Sequence, residues 1–302
     1  MRPGRAGHPG CRIVAHEKTI VKASSKETIF KDYQSQKNIN MSLKISTVKK
    51  RLKEGQVCFG TMLRILKSPQ AVALCASEGW DYIILDTEHN DYDYETLGNF
   101  SLVAKYEAIG LFVRVPDKLY HQMAQMLDIG AEGLVLPQVK TGEETRHIIQ
   151  SVKYAPMGQR GVSVSTTATL FRDCKIDEYI EWANRELMTI VQIESEEGIN
   201  NAEKIISTEG VDAIMIGPAD LSHDMGISGQ LHHPRMEEAF REVITQCNKY
   251  GVAPGIHLNN MEDVSKWVNE GMRFVTYSYD SKFIKDAYKE SLLTLRNIAD
   301  RP

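Results

Sequence analysis

Short runs of β-branched and aromatic residues recur eight times from about residue 55, and amphipathic stretches separate them. The runs occupy residues 57–63, 82–88, 111–116, 133–139, 188–194, 213–220, 253–258 and 274–280. Such alternation is typical of βα units in a parallel sheet. Eight units predict a closed (β/α)₈ barrel, the TIM barrel. An open doubly wound sheet is the alternative, but no G-x-G-x-x-G motif follows the first run.

The amino-terminal segment differs from the rest of the chain. Its first forty residues hold eight Lys or Arg against three Asp or Glu and show no sustained apolar period. We interpret residues 1–45 as an extension that is disordered or arises from an upstream start, with a transit peptide as the alternative. Residues 46–302 form the predicted barrel domain. The residues after 281 predict a last helix, which could pack on its own barrel or be exchanged with a neighbouring subunit.

Charge and cysteine content exclude several classes of protein. The net charge of −4 gives no sign of a nucleic-acid or membrane partner, and no apolar run reaches the roughly 18 residues of a membrane helix. The five cysteines are scattered and form no C-x-x-C pair, which argues against a disulfide framework and a zinc ribbon. This pattern is typical of the reducing cytoplasm, and we expect a cytoplasmic protein.

Two carboxylates end neighbouring predicted strands. Glu194 closes the fifth run and Asp220 the sixth. At the carboxyl ends of adjacent barrel strands they should lie close together, where two bare carboxylates repel each other. A divalent cation removes that repulsion, and oxygen-only ligands suit Mg²⁺ or Mn²⁺. Alternatively, either carboxylate caps the helix that follows it.

Three further polar residues are candidates for the chemistry. His89 follows the second run and could act as a general base near neutral pH, or make only structural hydrogen bonds. Arg114 lies within an apolar run and needs an anion, either a substrate oxygen or a buried partner such as Asp86 or Glu88. Asp128 precedes the fourth run, and its spacing favours an exposed position at a helix end.

Two connections are longer than the others. One contains PMGQRGVSVSTTATLFRD (156–173), and the other, SHDMGISGQLHHP (222–234), follows the sixth run. Long connections in a compact domain are usually functional or disordered. Their Gly, Ser, Thr, Arg and His residues suit the binding of a polar ligand.

The chain from about 55 to 290 resembles the HpcH/HpaI aldolases, metal-dependent enzymes with a phosphoenolpyruvate/pyruvate barrel. The residues that carry the resemblance are LDTEHN (85–90), VRVP (113–116), LDIGAEGLVLPQV (127–139), GQRGV (158–162), VQIE (191–194), VDAIMIGPADLSHDMG (211–226) and HHP (232–234). The motif at 211–226 is long and distinctive.

The resemblance implies a site and a reaction. Glu194 and Asp220 would hold Mg²⁺, Mn²⁺ or Co²⁺, with Gln192 beside them at a 2-oxo acid. Arg114 would contact the keto oxygen, and the backbone amides of Ala219 and Asp220 the substrate carboxylate. His89 would be the base, partnered by Asp128 despite its spacing.

The implied enzyme is a class II aldolase that cleaves 4-hydroxy-2-oxo acids to pyruvate, or a close analogue, and an aldehyde. The resemblance also implies a homo-oligomer, a hexamer or trimer of dimers. An acyl-CoA lyase on the same barrel, a Schiff-base aldolase using Lys140, and a catalytically silent scaffold stay open as alternatives.

The sequence departs from the family pattern in three places. The segment VSVSTTATLFRD (162–173) lacks the expected small, arginine-containing run. His257 stands where an apolar residue is more common, and TYSYD (276–280) replaces a run of small residues. Because these positions face the predicted aldehyde side, we expect the chemistry to persist and the substrate to differ.

Overall fold

A computed structural model describes residues 46–299, and the predicted extension of residues 1–45 lies outside the described residues. Eight strands, each hydrogen-bonded in parallel to its neighbours, close into a barrel in the order β1 to β8. The predicted (β/α)₈ barrel is therefore confirmed. The strands are β1 Cys58–Leu63, β2 Tyr82–Asp86, β3 Gly110–Arg114, β4 Gly133–Leu136, β5 Met188–Ile193, β6 Ala213–Ile216, β7 Gly255–Leu258 and β8 Phe274–Tyr279.

Helices connect successive strands and surround the barrel. They are α1 Thr47–Lys53, α2 Gln70–Ser77, α3 Tyr94–Glu107, α4 Tyr120–Ile129, α5 Gly142–Val152, α6 Ile176–Glu186, α7 Glu196–Asn200, α8 Ala202–Ile206, α9 Pro218–Asp224, α10 Pro234–Tyr250, α11 Met261–Glu270 and α12 Asp280–Ala299, with a 3₁₀ turn at Thr167–Thr169. Within residues 46–299, no helix is long and apolar enough to cross a membrane.

Helix ends follow local sequence signals. Asp93 begins α3 by accepting a hydrogen bond from the Thr96 amide, and Thr141 does the same for α5. Gly130 ends α4 with a positive φ, the conformation in which glycine commonly ends a helix. At the end of α3 the left-handed residue is Ala108 instead of a glycine.

Several strands end earlier than their apolar runs. The run 213–220 forms strand only as far as Ile216, and α9 begins at Pro218. Proline has no amide hydrogen for a strand ladder but suits the first turn of a helix. Asp220 therefore lies in the first turn of α9, just beyond the sheet.

Aromatic side chains fill the barrel interior. The ring of Tyr82 stacks on Phe274 at 4.3 Å and meets Phe112 edge-on at 5.5 Å. The Tyr82 hydroxyl hydrogen-bonds to Thr276 Oγ1 at 3.0 Å, which satisfies its buried polar atom. A second apolar layer lies between the strands and the helices. The interior is thus a packed apolar layer that lies beneath the carboxyl ends of the strands.

Gly60 on β1 makes room for this packing. A Cβ at Gly60 would overlap the ring of Tyr82, which fills the space beside β1. The requirement is one of volume, since Gly60 is not among the residues with positive φ.

We predict that Gly60→Ala destabilises the fold by about 1–3 kcal/mol, the usual cost of overpacking a core. Gly98→Ala on α3 is the matched control, because its new methyl group would meet Ile129 at an ordinary 3.6 Å. Gly98→Ala should instead stabilise by up to about 1 kcal/mol through helix propensity. Denaturant unfolding measures both, and equal effects of the two substitutions would contradict this account of the interior.

Candidate functional site

A layer of polar side chains lies above the packed apolar interior, at the carboxyl ends of the strands. Side chains alternate across a strand, so Asp86 faces the interior like Tyr82, and Arg114 like Phe112. Arg114 is 7% exposed and Asp86 fully buried. Buried charges of this kind must be paired or bind an ion.

Asp86 and Arg114 form a two-contact ion pair. The parallel register places them directly beside each other on β2 and β3. Arg114 Nε donates to Asp86 Oδ1 at 2.9 Å, and Arg114 Nη2 lies 2.8 Å from Asp86 Oδ2. Arg114 Nη1 lies 3.2 Å from Glu88 Oε2. The sequence left open whether the anion that pairs with Arg114 is a substrate oxygen or one of these two carboxylates. In the structure the two carboxylates hold the guanidinium. Nη1 keeps a second hydrogen that these contacts do not use.

The two carboxylates beside Arg114 differ in acidity. Burial alone would raise the pKa of Asp86, but the hydrogen bonds and charge of Arg114, with the charges of Arg64 and His89, outweigh it and lower the pKa below its usual value. Burial dominates at Glu88 and raises its pKa, although Arg114 and His89 oppose the shift. Asp86 is thus the charged counter-ion of Arg114. The charge of Glu88 is only partly compensated by its neighbours.

Glu194, just past β5, is a buried carboxylate held by two donors. The backbone amide of Gln138 donates to Glu194 Oε1 at 2.8 Å, and Gln192 Nε2 donates to Glu194 Oε2. Gln138, just past β4, has a positive φ of 57°. This conformation directs its backbone amide toward Glu194 at the barrel mouth, by which we mean the opening at the carboxyl ends of the strands. A Cβ at Gly217 would collide with the Glu194 carboxylate, so the residue that follows β6 must be glycine.

The donor set of Glu194 and Asp220 fits a divalent cation. Burial raises the pKa of Glu194 to about 7, and the charges of Asp220 and Glu88 add to the shift against the opposing Gln138 hydrogen bond. The buried carboxylate of Glu194 is therefore repelled by the charges of Glu88 and the exposed Asp220, and a cation with oxygen ligands would relieve this repulsion. No cluster of three or more metal-binding side chains occurs among residues 46–299. Two protein carboxylates leave the other positions around a cation for substrate and water.

His89 follows β2 at the rim of the same site. Its Nε2 lies 3.6 Å from Glu88 Oε2, and its side chain is 56% exposed. The charge of His89 also acts on Asp86. His89 is thus close to the Asp86–Arg114 pair and accessible to a proton donor or acceptor in solution.

Asp128 is not positioned to assist His89 within one chain. It lies in the last turn of α4, which runs back from the carboxyl ends of the strands toward the opposite end of the barrel. There Asp128 Oδ1 accepts from Arg160 Nη2 at 2.6 Å. The pairing implied by the resemblance is therefore not formed within this chain, and Glu88 is the carboxylate beside His89.

The remaining predicted positions also fall at the mouth or near it. Ala219 and Asp220 are exposed residues in the first turn of α9, where backbone amides have no partner within a helix. Lys140, the candidate for a Schiff base, is exposed, and its backbone amide donates to Glu144 in the first turn of α5. The exposed Lys140 gives no support to imine chemistry.

Sequence reasoning missed part of this site. It treated Asp86 and Glu88 only as partners of Arg114, and it did not identify Gln138 or Gly217. The charged motif DTEH at the end of an apolar run was a usable signal for the two carboxylates. The positive φ of Gln138 and the clearance at Gly217 depend on contacts across strands and leave no local pattern.

Comparison with known proteins agrees with this geometry. Residues 62–287 match the family described as HpcH/HpaI aldolase/citrate lyase. A 4-hydroxy-2-oxo-heptane-1,7-dioate aldolase of Shigella sonnei is 34% identical over 243 residues, covering 80% of this chain and 92% of the relative.

Solved structures extend the comparison to the fold. The HpcH/HpaI aldolase of Desulfitobacterium hafniense is 31% identical with a TM-score of 0.80, covering 84% of this chain and 97% of that one. A citrate synthase is 29% identical with a TM-score of 0.75, covering 84% and 99%. Both align with most of the barrel.

The two carboxylates beside Arg114 should differ in their contribution to stability. With chelator present, Asp86→Asn should destabilise the fold by about 3 kcal/mol at pH 7, because it leaves Arg114 without its closest counter-ion. Glu88→Gln, the matched control, should cost much less, since burial already disfavours its charge.

The Asp86 contribution should also depend on pH. Its pKa is lowered in the fold, so the stabilisation is complete above the unfolded value of about 3.9 and is lost as pH falls through the folded value. The difference between wild type and Asp86→Asn should thus shrink only in strong acid. Urea unfolding at pH 7 and pH 3 measures it, and a difference that grew on acidification would be contrary to this assignment.

Proposed function

The chain belongs to the HpcH/HpaI aldolase/citrate lyase family and is a carbon–carbon lyase, and from this premise we propose that it is a metal-dependent aldolase of 4-hydroxy-2-oxo acids. The products of cleavage would be pyruvate, or a close 2-oxo acid, and an aldehyde. The observation that carries the proposal is the balance of charge at the barrel mouth. Within the described residues, the guanidiniums of Arg64 and Arg114 lie among the carboxylates of Asp86, Glu88, Glu194 and Asp220. One divalent cation would offset the remaining negative charge.

Glu194 and Asp220 are the residues that would hold this cation. Mg²⁺, Mn²⁺ and Co²⁺ are all compatible with carboxylate ligands. When bound, such a cation supplies Lewis acidity that polarises a carbonyl group. Gln138 and Gln192 fix the Glu194 carboxylate through hydrogen bonds, so it is oriented before any ligand arrives.

Other residues of the site would bind the 2-oxo acid. The backbone amides of Ala219 and Asp220, in the first turn of α9, are suited to the substrate carboxylate. The unused Nη1 hydrogen of Arg114 would stabilise negative charge on the keto oxygen as the C3–C4 bond breaks. Asp86 holds the guanidinium in place for this contact.

His89 would move the proton of the reaction. In cleavage it takes the proton of the C4 hydroxyl, directly or through a water molecule, and returns it in condensation. Glu88, 3.6 Å from His89 Nε2, would stabilise the protonated ring. This role for Glu88 replaces the one that the resemblance gives to Asp128.

We also propose that the chain forms a homo-oligomer, a hexamer or trimer of dimers. The support is α12, in which only Asp280 is buried. Its exposed large apolar side chains are Phe283, Tyr288, Leu292, Leu293, Leu295 and Ile298. An apolar helix face of this size is typical of a subunit contact. Sedimentation measures the number of subunits, and a monomer would overturn this proposal.

Two substitutions separate the metal from the base. Asp220→Asn keeps the size of the side chain and removes a ligand charge, so metal affinity and cleavage should fall together, with partial rescue by excess metal. His89→Ala should leave metal affinity near that of wild type and lower cleavage by roughly 10²–10⁴, the usual contribution of a general base.

Calorimetric titration with Mn²⁺ and cleavage assays on a panel of 4-hydroxy-2-oxo acids make the comparison. Wild type treated with chelator should lose activity and regain it with Mg²⁺, Mn²⁺ or Co²⁺. Equal loss of metal binding in both variants would show that His89 is a ligand. Activity retained in chelator, with borohydride trapping on Lys140, would overturn the metal mechanism.

A further inference from the structure

Four buried side-chain atoms at the barrel mouth have no hydrogen-bond partner within residues 46–299. They are Gln192 Oε1, His257 Nε2, Ser278 Oγ and Glu88 Oε2, the last of which has only its ion pairs with Arg114 and His89. Buried polar atoms are normally paired, so a cluster of unpaired ones points to a ligand. Glu88 and Gln192 belong to the site described above. His257 and Ser278, on β7 and β8, have no part in it.

The His257 ring is held with one nitrogen free. The register pairs His257 with Thr276, whose hydroxyl bonds to Tyr82 inside the barrel, so the ring also faces the interior. A hydrogen bond between the ring and the Ser278 backbone favours the protonated ring, so the ring N–H donates and the Ser278 carbonyl accepts. Because Nε2 is unpartnered, Nδ1 makes this bond. Nδ1 therefore carries the hydrogen, and Nε2 is left as an acceptor.

The ring is neutral under ordinary conditions. Burial, followed by the charge of Arg114, lowers the pKa of His257 to about 4. The Arg64 charge acts in the same direction, and Asp86 opposes both. Tyr279 meets the ring edge-on at 6.5 Å and helps to fix its orientation. An uncharged acceptor of this kind suits a hydroxyl donor and not an anion.

The Ser278 hydroxyl is a second buried group without a hydrogen-bond partner among the described residues, and the backbone of Ser278 contacts the ring. Ser278 is 1% exposed and has a positive φ of 56°, a conformation that glycine adopts without cost. Strained residues with a polar side chain at a mouth are frequently functional. The Ser278 hydroxyl can donate or accept, so with Nε2 of His257 it complements a hydroxyl group in both directions.

We propose, on the basis of the aldolase function above, that His257 and Ser278 bind a hydroxyl group on the aldehyde half of the substrate. β7 and β8 follow β6 around the barrel, so this pair borders the place of the 2-oxo acid. The substrate class is then a 2-hydroxyaldehyde, and His257 and Ser278 are specificity-determining residues. An aldehyde without the hydroxyl would leave both groups unpaired. Enzymes discriminate most strongly between two substrates when the wrong one leaves buried polar groups of the site unpaired.

The test compares two aldehydes that differ by one hydroxyl group. Condensation of pyruvate with 2-hydroxypropanal and with propanal is measured in the presence of Mg²⁺. Wild type should favour 2-hydroxypropanal in kcat/KM by about tenfold or more. His257→Leu should reduce this ratio to near one. His147→Leu, an exposed histidine on α5, is the matched control and should keep the wild-type ratio.

Ser278→Gly provides a second variant that fits the backbone without strain and keeps the carbonyl that orients His257. It should lower the ratio while leaving the fold intact by thermal unfolding. Equal wild-type rates with the two aldehydes, or an unchanged ratio in both variants, would overturn this proposal alone. Absence of product with either aldehyde, together with absence of C3 proton exchange in pyruvate, would overturn the aldolase function and this proposal with it.

Discussion

The buried guanidinium of Arg114 organises the carboxyl end of the barrel. It can lie there only because Asp86 accepts from two of its nitrogens and Glu88 approaches a third. The pair fixes the ends of β2 and β3 against each other and leaves one hydrogen directed elsewhere. With Glu194 and Asp220 included, four carboxylates face the two guanidiniums of Arg64 and Arg114, so the mouth keeps excess negative charge. Cation binding is the simplest way for such a site to become neutral.

The mouth divides into two parts with different chemistry. On β2, β3, β5 and the start of α9 lie the charged groups that suit a metal and a 2-oxo acid. On β7 and β8 lie His257 and Ser278, which are uncharged and lack partners. We propose that the reaction depends on the first part, and that the second part determines which aldehyde is accepted. This division agrees with relatives that share the barrel and include both an aldolase and a citrate synthase.

The sequence predicts the strands well because apolar runs and glycine-ended helices are local features. It also predicts that Arg114, a charge within an apolar run, needs an anionic partner, and Asp86 and Glu88 are such partners. Spacing places Asp128 at a helix end, and it lies in the last turn of α4. Its ion pair with Arg160, 32 residues away, has no local signal. The backbone turn at Gln138 likewise has no local signal, because only packing across the sheet requires it.

Anomalous diffraction from crystals grown with Mn²⁺ and pyruvate would show whether Glu194 and Asp220 hold the cation. We expect a single strong peak between their carboxylates, at about 2.1–2.2 Å from an oxygen of each. Pyruvate should complete the coordination through its carboxylate and keto oxygens. A peak at any other position, or pyruvate bound at the mouth with no cation beside these two carboxylates, would contradict the account.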